Sequence, residues 1–559
     1  VSAGALPAIA LGENFSVAVK ADGTVWTWGD NSQGQLGVGQ DSKALPNSNS
    51  PRQVMLESGA ALTGVVSVAA GRDHAVALTA DGTIYAWGSN LHGQLSQGTF
   101  GGVSTAATAM SGMPEDGCSV YAGDGYTMLL TGEGQVWSVG FNDRGQLGVG
   151  YTGDGKLYSE YLAELEKYNE DLENGTLPED AVPPTYTCDV AVPRRVYQGE
   201  SASRTTALTN IIALSTGTAH TLALRSDGTV FAWGDNTYGQ LGVGYDPDAL
   251  VTVTDPETES TSQQHVLTFN YRVAVEVLSD AVEVAAGESH SLVLLSNGAV
   301  QAWGYNGYGQ LGDGGTGDTT YDATPIEVDG EMVIPEPTAP TDEKAVLPQN
   351  VLLTDAGKVY AIAAGGHSSA AIAGEARNVY LWGDNRAHQL GRPDPNSRTD
   401  VICYSDLPQV VTPGDSASVS GNAFEGALEV SLGYHNSAAL KEDYYVWNWG
   451  DNTYGQLGNS AYTPAQEPVQ AGDGESKTLI LEEYEIYHLG QDGQPTDVER
   501  YGDTATEDGS RQQAPSRQDL AEDEFLRFDL SNITNSFFKG FNLHSDGWTT
   551  KSDLDKFTV

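Results

Sequence analysis

Apolar and polar positions alternate along this 559-residue chain in short runs, each closed by a tight-turn signal. Residues 69–88, AAGRDHAVALTADGTIYAWG, show the unit in full. A small-residue stretch ends at Gly71, an apolar run covers Ala75–Leu78, and Asp81-Gly82 separates it from Thr83–Trp87. Two strand-like runs around Asp-Gly predict a β-hairpin, here with a type I′ turn, because that turn needs positive φ at both central residues. Asp22-Gly23, Asp227-Gly228 and Asn297-Gly298 repeat the signal. The corresponding stretches from Gly374 (GEARNVY) and Lys441 (KEDYYVW) lack the dipeptide, so longer or less regular turns are expected there.

A second element follows each hairpin. It reads WGDNSQGQLG from Trp28, WGSNLHGQLS from Trp87, VGFNDRGQLG from Val139 and WGDNTYGQLG from Trp233. WGYNGYGQLG from Trp303, WGDNRAHQLG from Trp382 and WGDNTYGQLG from Trp449 complete seven copies. One supersecondary unit at this spacing cannot bury its apolar faces alone, so the copies must stack. The expected fold is all-β, a seven-bladed β-propeller. Ala69-Ala70-Gly71 and Ala285-Ala286-Gly287 suit the crowded strand nearest the axis. The tryptophans supply apolar area between blades, which makes them structural and not ligand-stacking. The GQLG segments supply a turn glycine and a leucine plug.

These seven matches in register resemble the regulator of chromosome condensation repeat, over roughly residues 7–470 of the chain. The resemblance implies a closed seven-bladed ring, in which Val139 in the third copy and Ala387-His388 in the sixth are structural drift. Within that family, the chromatin-bound exchange factor for a small GTPase needs a basic DNA-facing surface. The plant UV-B photoreceptor uses a GWRHT motif; the corresponding turns here hold no tryptophan and only Arg72 as arginine. A secreted β-lactamase-inhibitory propeller of actinobacteria is similar at the level of fold only, because it lacks the long insertions and tail seen here.

Composition narrows the partners. With 75 Asp and Glu against 27 Lys and Arg, the formal charge is −48. Nucleic acid is excluded as a partner on this reading, because binding it rests on basic patches that displace counterions from phosphate. Anionic membranes are disfavoured for the same reason, and no apolar stretch is long enough for a transmembrane helix. Three cysteines (Cys118, Cys188 and Cys403) cannot all pair within one chain and show no metal-ligand spacing. The absence of an initial methionine before Val1 fits a removed signal peptide or an excised fragment.

The propeller is expected to span residues 1–474, with long insertions near 151–200, 245–268, 313–348 and 393–425. In the first of these, Leu157, Tyr161, Leu165, Tyr168 and Leu172 fall at helical spacing before Asn174-Gly175 and Pro183-Pro184, predicting an amphipathic helix. Residues 475–559 form a C-terminal extension, in which 478–489 has strand character and is a candidate for latching the ring. At its end, Asn542, His544, Asp546, Gly547 and Asp553 take positions 1, 3, 5, 6 and 12 of a calcium-loop-like pattern. That makes Asn542, Asp546 and Asp553 weak calcium candidates; no other cofactor is expected.

Each copy also carries a Gly-x-x-His-type turn whose two central residues differ from copy to copy. A fixed frame with variable turn tips on one face is the layout of a binding surface. The candidates are Glu13, Asn14, Arg72, Asp73, Asp124, Tyr126, Glu288, Tyr434 and His435. The histidines at the fourth turn position (His74, His220 and His290) are expected to hydrogen-bond their own blade, since ring symmetry spreads them too far apart for one metal ion. No nucleophile elbow, P-loop, HEXXH or paired-carboxylate constellation is present, so no catalysis is expected. The sequence therefore reads as a secreted or cell-surface bacterial protein that binds another protein through one propeller face. A self-assembling surface or filament subunit and a carbohydrate-directed, dockerin-like accessory module are the alternatives.

Overall fold

A computed structural model of the chain describes residues 8–150, 167–168, 189–198, 206–244, 270–314, 347–353, 356–391, 404–411, 423–442 and 444–472, with short strands in the insertions and tail. Seven antiparallel sheets follow one another in chain order. Blade 1 is Ala8–Leu11, Phe15–Val19, Val25–Asp30 and Asn47–Gln53. The innermost strands of blades 2 to 7 are Val65–Ala70, Gly117–Ala122, Ile211–Thr216, Ala281–Ala286, Val359–Gly365 and Ala427–Leu432. Six blades have four strands; in blade 4 the outer strand Asn270–Leu278 carries the extra pair Tyr197–Gln198 and Thr206–Ala207. Each inner strand packs beside the next, and that of blade 7 packs beside that of blade 1, so the ring closes.

The buried side chains divide into seven apolar clusters, each shared by two neighbouring blades. This is why a lone copy is not a folding unit: its apolar surface is completed by its neighbours. Six repeat tryptophans are buried to 1 % exposure or less. Each donates its indole N–H to the backbone carbonyl of the repeat glutamine in the preceding blade, as in Trp87 to Gln35 at 2.9 Å and Trp233 to Gln146 at 2.8 Å. The same bond closes the ring, from Trp28 to Gln456 at 2.8 Å. Among the described residues no strand is exchanged between the first and last blades; besides that indole, Ser460 N–H donates to the Asn49 carbonyl at 2.7 Å across the seam.

The asparagine and glutamine of the repeat hold its turn. Asn31 Oδ1 accepts the Leu36 N–H at 3.1 Å and Gln35 Oε1 accepts the Gln33 N–H at 2.7 Å. All seven copies repeat both bonds, including the sixth, where His388 takes the glycine position at φ 67°.

The hairpin turns differ from the expected type I′. Gly23 N–H donates to the Lys20 carbonyl and Lys20 N–H to the Thr24 carbonyl, so three residues form the link. Only the glycine has positive φ (77°), and Asp22 contributes its carboxylate to the Thr24 N–H at 2.8 Å. In blade 7 Tyr444 takes the glycine position at φ 59°, and in blade 6 Arg377 does so at φ 52° in a longer link. In the tail, Tyr484–Leu489 pairs with Pro495–Tyr501 and Glu524–Arg527 instead of latching a blade. The predicted helix over Leu157–Leu172 lies outside the described residues, except Lys167 and Tyr168, which are helical.

Candidate functional site

In every blade a four-residue turn joins the innermost strand to the second; in six it is closed by a glycine N–H bonded to the carbonyl of the fourth residue, at 2.9 Å in Gly71 to His74, and in blade 6 Gly365 pairs with Ser368. Glycine is required: a Cβ on Gly71 would lie 2.4 Å from both the Gly123 carbonyl oxygen of the next blade and the His74 ring. The fourth residue turns inward, and Phe15, His74, Tyr126, His220 and His290 are fully buried. His74 Nε2 meets Thr127 Oγ1 at 3.0 Å, His220 meets Ser291 at 3.0 Å, and His290 meets Ser369 at 2.9 Å. These partners belong to the next blade, which corrects the expectation of an own-blade bond.

The chemistry of that bond fixes the tautomer. Each hydroxyl donates its proton to a repeat-glutamine carbonyl, at 2.9 Å for Thr127 and 2.7 Å for Ser291 and Ser369. The imidazole Nε2 must therefore be the donor, which leaves Nδ1 bare, and that atom has no partner in any of the three. Burial pushes all three pKa values down to about 3, so these rings are neutral struts between blades.

Tyr126 is corrected for the same reason. Its fully buried ring sends the hydroxyl to the Gly217 and His220 carbonyls of blade 4, at 2.8 and 2.9 Å, and offers nothing to a partner. The second turn residues surround the mouth of the central channel, over a cavity of about 80 Å³ lined by all seven blades. Arg72, Asp124, Glu288 and Tyr434 line it. Glu13, Asn14, Asp73 and His435 sit on the same turns, His435 exposed and the other three half-buried.

The two sides of the mouth carry different chemistry. Over blades 1 to 3, Arg72 Nε binds Glu13 Oε2 at 2.8 Å, and its Nη1 lies 3.5 Å from Asp124 Oδ2. The bond to Glu13 raises the Arg72 pKa, while burial pushes Asp73 up to about 6 and also raises Asp124. Nearby, His92 Nδ1 pairs with Asp189 at 2.9 Å, which raises its pKa, and its ring packs 4.2 Å from Phe141. Beside the mouth, blades 5 and 6 pack an aromatic layer in which Tyr305 and Tyr308 are themselves buried. His367 stacks on Tyr308 at 5.0 Å and tilts against Tyr305 at 5.3 Å, with Glu288 at 3.4 Å and Arg386 over the Tyr308 ring at 4.3 Å. Tyr434 of blade 7 crosses the opening, its hydroxyl 2.7 Å from Thr218 Oγ1 of blade 4.

The structure thus joins Glu13, Arg72 and Asp124 into one ion-pair network and sets Glu288 and Tyr434 at the same opening. His92, Thr218, Tyr305, Tyr308, His367 and Arg386 were missed. Their signal lay in variable positions: His92 and Tyr308 share one position of the WGxNxxGQLG segment, Tyr305 and Arg386 fill two others, and Thr218 and His367 are tips of the Gly-x-x-His-type turns. The calcium candidates Asn542, Asp546 and Asp553 lie outside the described residues. Among the described residues no group of three or more His, Cys, Asp or Glu side chains is placed to hold a metal ion, and no helix is long and apolar enough to cross a membrane.

The model of the RCC1-like domain matches residues 3–335, more than half the chain. The chain belongs to that family. It is similar to the ultraviolet-B receptor UVR8 of Arabidopsis thaliana, 26 % identical over 455 residues covering 80 % of this chain and 78 % of the receptor. It is also 32 % identical to the RCC2 homologue of Danio rerio over 243 residues, covering 42 % of this chain and 43 % of that one. Among solved structures, yeast RCC1 (Prp20) bound to Kap60 superimposes with TM-score 0.54 at 18 % identity, covering 85 % of this chain and 86 % of Prp20. A second structure of Prp20 from Saccharomyces cerevisiae, described with its binding to Gsp1 and histones, gives TM-score 0.54 at 20 % identity, covering 82 % and 87 %. These likenesses establish the RCC1-like propeller fold.

Proposed function

We propose that this protein is a non-catalytic binding propeller that takes a protein partner on the face around the channel mouth. The observation that carries this reading is the contrast between the constant interior of the blades and the seven different turn tips that the blades hold around one opening. The RCC1-like relatives whose descriptions name Kap60, Gsp1 and histones support it by kinship. A secreted or cell-surface location in a bacterium goes with the reading and rests on the charge of −48, which favours solubility in an exposed environment. Fractionation of the source cells tests the location; a cytoplasmic pool alone refutes it.

The face is tested with a photo-crosslinking amino acid placed at His435, beside the mouth, or at Glu133, on a hairpin turn at the opposite end of its blade. The reading expects a discrete heterologous adduct from position 435 and none from 133. Equal labelling from both ends refutes it. An adduct of twice the chain mass, together with concentration-dependent light scattering, favours the self-assembling subunit instead.

A further inference from the structure

The mouth has the build of a socket for one side chain. Its cavity of about 80 Å³ is too small for a loop or a free drug-sized ligand and is on the scale of one side chain. The walls are short and apolar: Ala70, Ala122, Ala286 and Ala364, with Leu11 and Leu432, all at the ends of innermost strands. Such walls suit a methylene stem. The rim is polar and mostly anionic, with Asp124 and Glu288 lining it and Glu13 beside them. One cation is already seated there. The Arg72 guanidinium is held by carboxylates from blade 1 on one side and blade 3 on the other, so these groups converge on a guanidinium-sized site. Over the opening lies Tyr434, fixed at its tip by the single hydroxyl contact to Thr218.

We propose that the mouth receives one lysine or arginine side chain from a protein partner, with Tyr434 as its lid and Arg72 as the resident cation that competes for the Glu13 and Asp124 carboxylates. This rests on the mouth face being the binding face. It specifies what that face recognises: an exposed basic residue whose stem enters between the alanines while its charged head stays at the rim. The excess of carboxylates over cations at the rim, in a chain of charge −48, steers such a partner toward the opening. Arg72 is half-exposed and free to swing toward solvent once the carboxylates find another cation.

The test uses side-chain analogues on the full-length protein, so it does not depend on knowing the partner. n-Butylguanidinium and n-butylammonium are titrated at pH 7.5 and low salt by NMR, with n-butanol and butyrate as neutral and anionic controls. Saturable binding of both cations is expected, with at least tenfold weaker binding of n-butanol and none of butyrate, and with affinity falling as salt is added. Arg72→Ala should tighten the cations several-fold by removing the competitor, and Tyr434→Phe should tighten them about twofold by freeing the lid. The double variant Glu13→Gln, Asp124→Asn should weaken them about tenfold. Absence of saturable binding by either cation overturns the proposal, as does n-butanol binding equally well. Weaker binding in Arg72→Ala overturns the role of Arg72 as competitor. A heterologous adduct from position 435 combined with failure of every analogue leaves the face in use and the socket refuted.

Discussion

The interface between blades 2 and 3 is built differently from the other six. At those six, an indole from one blade lies on the last glycine of the GQLG segment of the blade before it. A Cβ on Gly37, Gly148, Gly242, Gly312, Gly391 or Gly458 would come within 2.6–2.8 Å of that ring. At the odd interface the indole is missing, since Val139 takes the tryptophan position, and the glycine is missing as well, since Ser96 takes its place at φ 53°. Both are fully buried. Ser96 and Ser111 exchange hydroxyl-to-carbonyl bonds at 2.7 and 2.6 Å. Two departures that look like separate drift along the chain are therefore one exchange, in which the space given up by an indole admits a serine Cβ. The rest of the joint is kept: the Gln94 carbonyl, left without an indole donor, still accepts the Thr127 hydroxyl at 2.9 Å.

The largest expected effect is at a standard interface. Trp233→Ala removes a fully buried indole and its bond to Gln146, and should cost about 3–5 kcal/mol in denaturant unfolding. Val139→Ala should cost only about 1–2 kcal/mol. Equal losses would break the comparison. Next, Gly242→Ala forces a Cβ to 2.8 Å from Trp303 Nε1 at φ 71° and should cost about 2–3 kcal/mol. Ser96→Gly leaves an unfilled space and lost hydroxyl bonds worth about 1 kcal/mol. The sharpest test is the reciprocal repair. Val139→Trp alone should destabilise by overpacking against Ser96, and adding Ser96→Gly should recover about 1–2 kcal/mol as a coupling energy. Strict additivity of the two changes, measured by the same unfolding curves, would show that the positions do not face each other.

Most of the ring was legible in the sequence because its determinants are local and repeated. The Asn-x-x-x-Gln-Leu turn is closed by side chains within five residues, so seven copies announce seven joints. What lies between copies was not legible. The histidine bonds to the next blade join residues 53 to 79 positions apart, as in His74–Thr127 and His290–Ser369, and a hydroxyl at the partner position looks ordinary in sequence. Tyr126 read as a turn-tip candidate because it shares the register of His74, yet both point inward for the same packing reason. At the mouth, the turn positions of Glu13, Arg72 and Asp124 could be read from the repeat, but their mutual pairing needed the ring to close. The Tyr434–Thr218 bar spans 216 residues and follows from no spacing rule.

The smallest expected effect concerns the seam that closes the ring. Glu429, on the innermost strand of blade 7, accepts the Ile9 N–H of blade 1 at 3.3 Å, and burial pushes its pKa up to about 8 from an ordinary value of 4.5. Its folded pKa lies above the unfolded one, so the folded state keeps a proton that the unfolded state releases. That stability is fully present below pH 4.5 and is lost as pH rises through 8. The buried histidines have the opposite sign: their folded values near 3 make stability fall as pH drops below 6.5, so they are silent at higher pH. The window from pH 6.5 to 8 therefore excludes the buried histidines, and His92, raised by Asp189, contributes there equally to wild type and variant. Glu283, pushed up to about 7 by burial where it accepts the Ile362 N–H at 3.2 Å, contributes equally to wild type and variant. Glu429→Gln keeps an acceptor for Ile9 and cannot ionise. Between pH 6.5 and 8 the wild type should lose about 1–2 kcal/mol more than this variant. Parallel stability curves for the two proteins across that window would show that the seam carboxyl is already ionised in the folded ring.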